Sequence, residues 1–202
     1  IYSDLKSKVE PLLTKKKLNI NEYNEVLQYV ILSLYVLQQP RRNLDFQYAL
    51  VLKNYNPDLI SKSFNYLDLE NKKFYFNNFK TKKTYETQTV DINEDLMNVI
   101  NAYLNLHPKK KELKKKNSVV PFLVDFDGIP FDTNNSITRI LNKIFNKKIG
   151  VSMLRNIYLT SKYSPQLQEL KNDALAMGTS SNTIQNQYVK LDEPLIWSNA
   201  SS

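Results

Sequence analysis

A chain with no cysteine and a single histidine has few ways to do chemistry. Disulfides, thiolate nucleophiles and His- or Cys-rich metal clusters are excluded by composition. Guanidinium, ammonium, phenol, hydroxyl and carboxylate groups remain. Four positions among these draw notice: Arg42 beside Arg41 just after Pro40, Lys80 in a run with Lys82 and Lys83, Arg155 between Met153-Leu154 and Ile157-Tyr158, and Tyr188. A guanidinium offers planar, forked, permanently charged donors matched to phosphate. A phenol, with a reference pKa of ~10, becomes a nucleophile once it loses its proton. Taken singly, each residue has an ordinary reading. Arg42 is a cation near a helix end, Lys80 a solvated turn, and Tyr188 one of 13 tyrosines. Arg155 interrupts an apolar helix, and a buried arginine wants an anionic partner, for which Asp45 is available. Asp125-Phe-Asp127-Gly128 reads more simply as a turn than as a magnesium site, and His107 before Pro108 as a helix-end residue.

Charge narrows the partners. The 202 residues carry 28 Lys and Arg against 20 acidic groups, a net +8 that concentrates a polyanion at the surface, so nucleic acid leads. The Lys109–Lys116 run is expected as a solvated loop that adds counterion-release affinity. An anionic membrane would answer the same charge, but no apolar run approaches spanning length and no Lys-faced amphipathic helix stands out. No charged-then-apolar leader follows Ile1, and the chain begins as if cut from something longer, which reads as an intracellular fragment. Only 3 glycines amid abundant Asn, Lys, Ile and Tyr is a bias that AT-rich coding DNA produces, as in many viruses.

The elements that must position these residues can be outlined. Residues 1–18, with Pro11 and Lys15-Lys16-Lys17, read as a linker into a domain spanning 19–190, followed by a tail, 191–202. Asn19 and Glu22 have capping-box spacing ahead of Tyr23, Val26, Leu27, Val30, Ile31 and Leu34, a buried helix ending before Pro40. Asn65–Leu69 and Lys73–Asn77 read as a hairpin, and Thr84–Ile92 as a third strand, leaving Lys80 on the connecting turn. Asn93 caps a helix that Pro108 stops, and further helices are expected at about 134–146, 152–163, 165–177 and 181–190. The outcome is an α+β domain, mainly α-helical, with a small three-stranded antiparallel sheet.

Four separated segments resemble, in order, the motifs of the tyrosine recombinases, the phage-type integrase family. Gln39-Pro-Arg-Arg42-Asn-Leu-Asp45 resembles the first arginine box, whose acidic residue three positions on selects Arg42 over Arg41. Phe79-Lys80-Thr81 resembles the catalytic lysine on its hairpin tip, and Ser152-Met-Leu-Arg155-Asn156 the His-x-Leu-Arg-His box. Met177-Gly-Thr179 followed by Gln185-Asn-Gln-Tyr188 resembles the Leu-Gly-His box with its terminal tyrosine. The match spans roughly residues 20–190, and its joint occurrence is far more specific than any one motif.

The resemblance implies the family's catalytic-domain fold and cleavage of double-stranded DNA through a 3′-phosphotyrosyl intermediate, for integration or another recombination. Neither metal nor any other cofactor is implied. Arg42 and Arg155 would hold the non-bridging oxygens, Tyr188 would attack, and Lys80 would protonate the departing 5′ hydroxyl. Ser152, Asn156 and Thr179 stand where the family has histidines, and Ser and Thr hydroxyls donate hydrogen bonds but are not bases near neutral pH. The family's separate amino-terminal DNA-binding domain would precede the 1–18 linker. Protomers would assemble as a homo-tetramer on DNA, the 191–202 tail docking either on a neighbour or in cis on its own core. Composition and the first box together resemble integrases of small AT-rich viruses such as virophages, which would act in a host nucleus or viral factory. The rivals are a type IB topoisomerase using the same residues, a non-catalytic DNA-binding relic, and a magnesium nuclease built on Asp125 and Asp127. A chelator separates the last from the others.

Overall fold

Two helices open the chain, α1 (Tyr2–Val9) and α2 (Ile20–Val36), in a computed structural model that describes residues 1–79 and 87–183. The capping box at α2 forms as its spacing predicts. The Asn19 side chain accepts from the N–H groups of Asn21 and Glu22, both at 3.0 Å, and the Glu22 carboxylate accepts from the Asn19 N–H at 3.0 Å. Ten residues of α2 are buried, on every face, as in a helix at the centre of a core.

Residues 1–18 are not the linker expected. Tyr2, Leu5 and Val9 share one face of α1, Val9 is fully buried, and Tyr2 stacks on Tyr29 of α2 at 5.7 Å between ring centroids. Three apolar positions among charged neighbours are too few to register as a sustained period, yet they suffice to seat two turns of helix.

The sheet is mixed and five-stranded, in the order β4-β3-β2-β1-β5, where three antiparallel strands were expected. The expected meander lies inside it as β2 (Tyr66–Asp68), β3 (Lys73–Phe76) and β4 (Gln88–Asp91). To it are added β1 (Leu50–Leu52), parallel to β2, and β5 (Val120–Pro121), antiparallel to β1. Strands of three and two residues are too short for alternation to be read from sequence. The hairpin turn is held by Asp68, whose carboxylate accepts from the backbone N–H of Glu70 and Asn71, while Lys72 takes a left-handed φ of 53°.

Helix α4 (Glu94–Leu106) is capped by Asn93 and packs on α2. The short α5 (Lys110–Leu113) follows, so the Lys109–Lys116 run is partly helical. His107, between them, is buried, and its Nδ1 accepts from the Lys109 N–H at 3.0 Å. Burial pushes its pKa down to about 4, against the opposing pull of the Phe122 and Pro121 backbone. Asp125 to Gly128 forms a turn: the Asp125 carboxylate accepts from the N–H groups of Asp127 and Ile129, and Gly128 has a φ of 81°. No group of His, Cys, Asp and Glu able to hold a metal occurs among the described residues.

Helix α6 (Ser136–Phe145) ends on Asn146 in the left-handed region. The two helices expected at 152–163 and 165–177 are one, α7 (Val151–Ala176), with Pro165 inside it. Proline removes one backbone donor, and the carbonyl it leaves belongs to Ser161, an exposed residue where water can serve. The short α8 (Ser181–Thr183) is the last described element. The chain divides into two compact units, 1–158 and 159–202, in place of a single domain over 19–190. Among the described residues no helix is long and apolar enough to cross a membrane.

Candidate functional site

Adjacent arginines take opposite environments. The Arg41 side chain is mostly buried: its Nε donates to Asp45 Oδ2 at 3.0 Å, its Nη1 to Gln88 Oε1 at 2.9 Å, and its guanidinium carbon lies 3.8 Å from the Phe76 ring centroid. Burial pushes the Asp45 carboxyl up and the Arg41 guanidinium down, and each is opposed by the other's charge. Arg42 instead occupies the N-cap position of α3 (Asn43–Gln47). The three-residue offset to Asp45, which selects Arg42 in the sequence, is the geometry of a helix start: the Asp45 N–H donates to the Arg42 carbonyl at 3.0 Å. The carboxylate itself belongs to Arg41.

Arg42 lines an open pocket of about 720 Å³ together with Arg155 and Ser152 from the first turns of α7. All the lining residues lie in the 1–158 unit. Leu44, Tyr48 and Phe64 supply exposed apolar surface at its edge. Arg155 is exposed, not buried as the apolar run around it suggests, because Met153 and Ile157 on the same helix are also exposed. Neither Arg42 nor Arg155 forms an ion pair among the described residues. Asp45 also lines the pocket, but its carboxylate is engaged by Arg41, so two guanidinium groups outside any ion pair among the described residues, beside a serine hydroxyl, suit an oxyanion such as a phosphodiester.

The pocket is fixed by hydrogen bonds between segments distant in sequence. Asn65 is the hub: its amide donates to the carbonyls of Asp45 and Asn78, both at 3.0 Å, and its Oδ1 accepts from the Asn78 N–H at 2.8 Å. The arginine segment is thereby locked to the end of β3 that leads to Phe79, which also lines the pocket. On the other side Tyr35 Oη donates to Asn43 Oδ1 at 2.6 Å, Asn43 Nδ2 to Thr138 Oγ1 at 2.8 Å, and Tyr48 Oη to Asn134 Oδ1 at 2.9 Å. These amides and tyrosines carry no sequence motif, so motif reading passes over them.

Of the six expected site residues, Arg42, Ser152 and Arg155 are brought together. Thr179 belongs to the 159–202 unit. Its N–H donates to the Ala174 carbonyl at 2.9 Å and that of Gly178 to Leu175 at 3.1 Å, with Gly178 at φ 67°, so Met177-Gly-Thr179 closes α7 as a Schellman cap. Lys80 and Tyr188 lie outside the described residues, as do the expected helix beyond Thr183 and the tail 191–202. Comparison with protein-family models, with curated proteins and with solved structures gives no match to this chain.

Proposed function

We propose that this chain is the catalytic domain of a tyrosine recombinase, cleaving and rejoining duplex DNA through a 3′-phosphotyrosyl intermediate. The observation that carries the proposal is the convergence of Arg42 and Arg155 on one pocket, neither paired to a carboxylate among the described residues. Cleaving a phosphodiester without a metal needs fixed positive charge on the non-bridging oxygens as charge builds in the transition state, and preorganised donors of this kind are usually the largest catalytic term.

The Tyr188 oxygen attacks phosphorus, its proton leaves with solvent, and the bond to the 5′ oxygen breaks while the Lys80 ammonium protonates that oxygen. Lys80 follows directly on Phe79, a residue of the pocket wall. Arg42 and Arg155 hold the phosphate, and Ser152 donates a hydrogen bond where the family uses histidine. The phosphotyrosine conserves the bond energy, and a 5′ hydroxyl reverses the step to join strands. Exchange between two duplexes requires several protomers on DNA, for which a tetramer is the family's arrangement.

The test is incubation with a nicked suicide duplex, with and without chelator. A covalent protein–DNA adduct is expected, resistant to chelation and absent from Tyr188→Phe, which should keep its affinity for DNA. An adduct that persists in Tyr188→Phe would sink the assignment, and cleavage abolished by chelator would point to metal-dependent hydrolysis.

A further inference from the structure

A second basic pocket lies beyond the other end of β1. Antiparallel pairing of β1 with β5, Leu50 to Pro121 and Val51 to Val120, brings the residues after β1 beside those before β5. Lys53 thus meets the end of α5, where its Nζ donates to the Lys114 carbonyl at 3.3 Å. Between the two segments is an open pocket of about 510 Å³ whose lining includes Lys53, Lys114, Lys116 and Ser118. Among the described residues no acidic side chain lines it. Two acids stand close by: Glu70, engaged at 2.8 Å by the amide of Asn54, and Asp58, whose N–H donates to Asn56. The Ser118 hydroxyl is buried and has no hydrogen-bond partner among the described residues. Buried hydroxyls are nearly always satisfied, and rotation of the Ser118 side chain toward the pocket its residue lines would give this one an acceptor.

We propose that this pocket is a second, non-catalytic seat for the DNA backbone, with Lys53, Lys114 and Lys116 on a phosphate and the Ser118 hydroxyl donating to it. The lining also carries apolar surface that a bare anion would not use. Leu59 is 80% exposed and Val119 45% exposed, beside the lysines. A polynucleotide backbone alternates anionic phosphate with apolar sugar, and so meets both. A lipid surface is also anionic and apolar, but an interfacial anchor presents a whole helical face, not two side chains. Tyr48 lines the arginine pocket and Lys53 this one, five residues apart with β1 between them. At about 3.3 Å per residue that is about 16 Å, or about five base-pair rises of 3.4 Å, a span one duplex covers. The inference rests on the DNA-binding part of the function proposed above and not on strand cleavage.

The experiment is a salt titration of binding to a fluorescein-labelled duplex of arbitrary sequence. It compares the full chain, Lys53→Gln/Lys116→Gln, and the control Lys16→Gln/Lys17→Gln, which removes equal charge from residues lining neither pocket. Removing two phosphate contacts should lower the slope of log affinity against log salt by about 2, while the control stays at the wild-type slope. Lys116→Gln alone, which disturbs no described hydrogen bond, should lower it by about 1 and guards against misfolding of the double variant. Repeating the series in a Tyr188→Phe background should give the same losses, so a failure of the cleavage chemistry leaves this result readable. An unchanged slope in the double variant overturns the proposal, as does an equal loss in the control. Phosphatidylserine vesicles form the last arm: binding that the double variant loses, with its DNA slope intact, would assign the pocket to a membrane surface instead.

Discussion

Arg41 and Arg42 are neighbours in the chain and opposites in the structure. One lies against Phe76 and is tied to Asp45, with every feature of a framework group, and the other faces a pocket and meets no carboxylate among the described residues. The difference teaches that a charged residue's partners, and not its type, tell scaffold from site. A guanidinium held through Nε and one Nη, with its face on an aromatic ring, is fixed in place as part of the scaffold. The same contrast separates α2, buried on all faces, from α7, whose first turns carry Arg155 and Ser152 on exposed positions.

The contrast breaks if the two arginines fail alike. Arg41→Ala leaves Asp45 buried without its partner and should cost about 3–5 kcal/mol of unfolding free energy, measured by urea denaturation. Stability within 1 kcal/mol of wild type, as an approximate threshold, would remove Arg41 from the framework. Arg42→Ala and Arg155→Ala should do the reverse, each lowering cleavage of a suicide duplex by about 10²–10³ while the thermal midpoint holds. Cleavage at the wild-type rate in either would detach that arginine from the reaction.

The pH dependence of stability sharpens the framework side. His107 has a folded pKa of about 4, below its ordinary 6.5, so as pH falls the unfolded chain takes up a proton first. The stability that the neutral His107 protects is full above about pH 6.5 and is lost as pH falls toward 4, a loss of about 3 kcal/mol at that shift. His107→Asn should flatten this limb of the curve, and an unaltered acid limb would assign it to other groups. The smallest effect expected is on the site: Ser152→Ala removes one neutral donor, worth about 1 kcal/mol or about fivefold in cleavage rate. A loss as large as that of an arginine would give Ser152 a task beyond hydrogen bonding.

Local rules were the most legible part of the chain. Asn19 with Glu22, Asn93 at the start of α4, and Asp125 to Gly128 each act over a few residues, and each forms the cap or turn that its spacing predicts. What escaped reading depends on distant partners. Strands β1 and β5 are too short to show a period and exist because they pair with each other and with β2. Helix α1 is held by a face of only three residues, Tyr2, Leu5 and Val9, whose partners lie distant in sequence, as Tyr2 on Tyr29. Pro165 reads as a break, yet α7 runs through it. At the site, motif spacing singles out Arg42 and Arg155, and both line one pocket, but the offset from Arg42 to Asp45 marks a helix start, and the carboxylate pairs with Arg41. The amides that hold the pocket together have no motif at all.

Asn65 carries a consequence for how this sequence can drift. Its side chain gives two donor contacts and one acceptor contact to backbone groups of two other segments, at positions where a short planar amide fits. Aspartate would set negative charge against two carbonyls, leucine would leave all three groups unmet, and serine lacks the second donor in that plane. Selection on the geometry of the pocket would therefore fix a residue whose side-chain amide is committed to the backbone. In a pool of surviving variants, position 65 should look as invariant as the arginines while the exposed apolar edge at Leu44 and Phe64 diversifies around it.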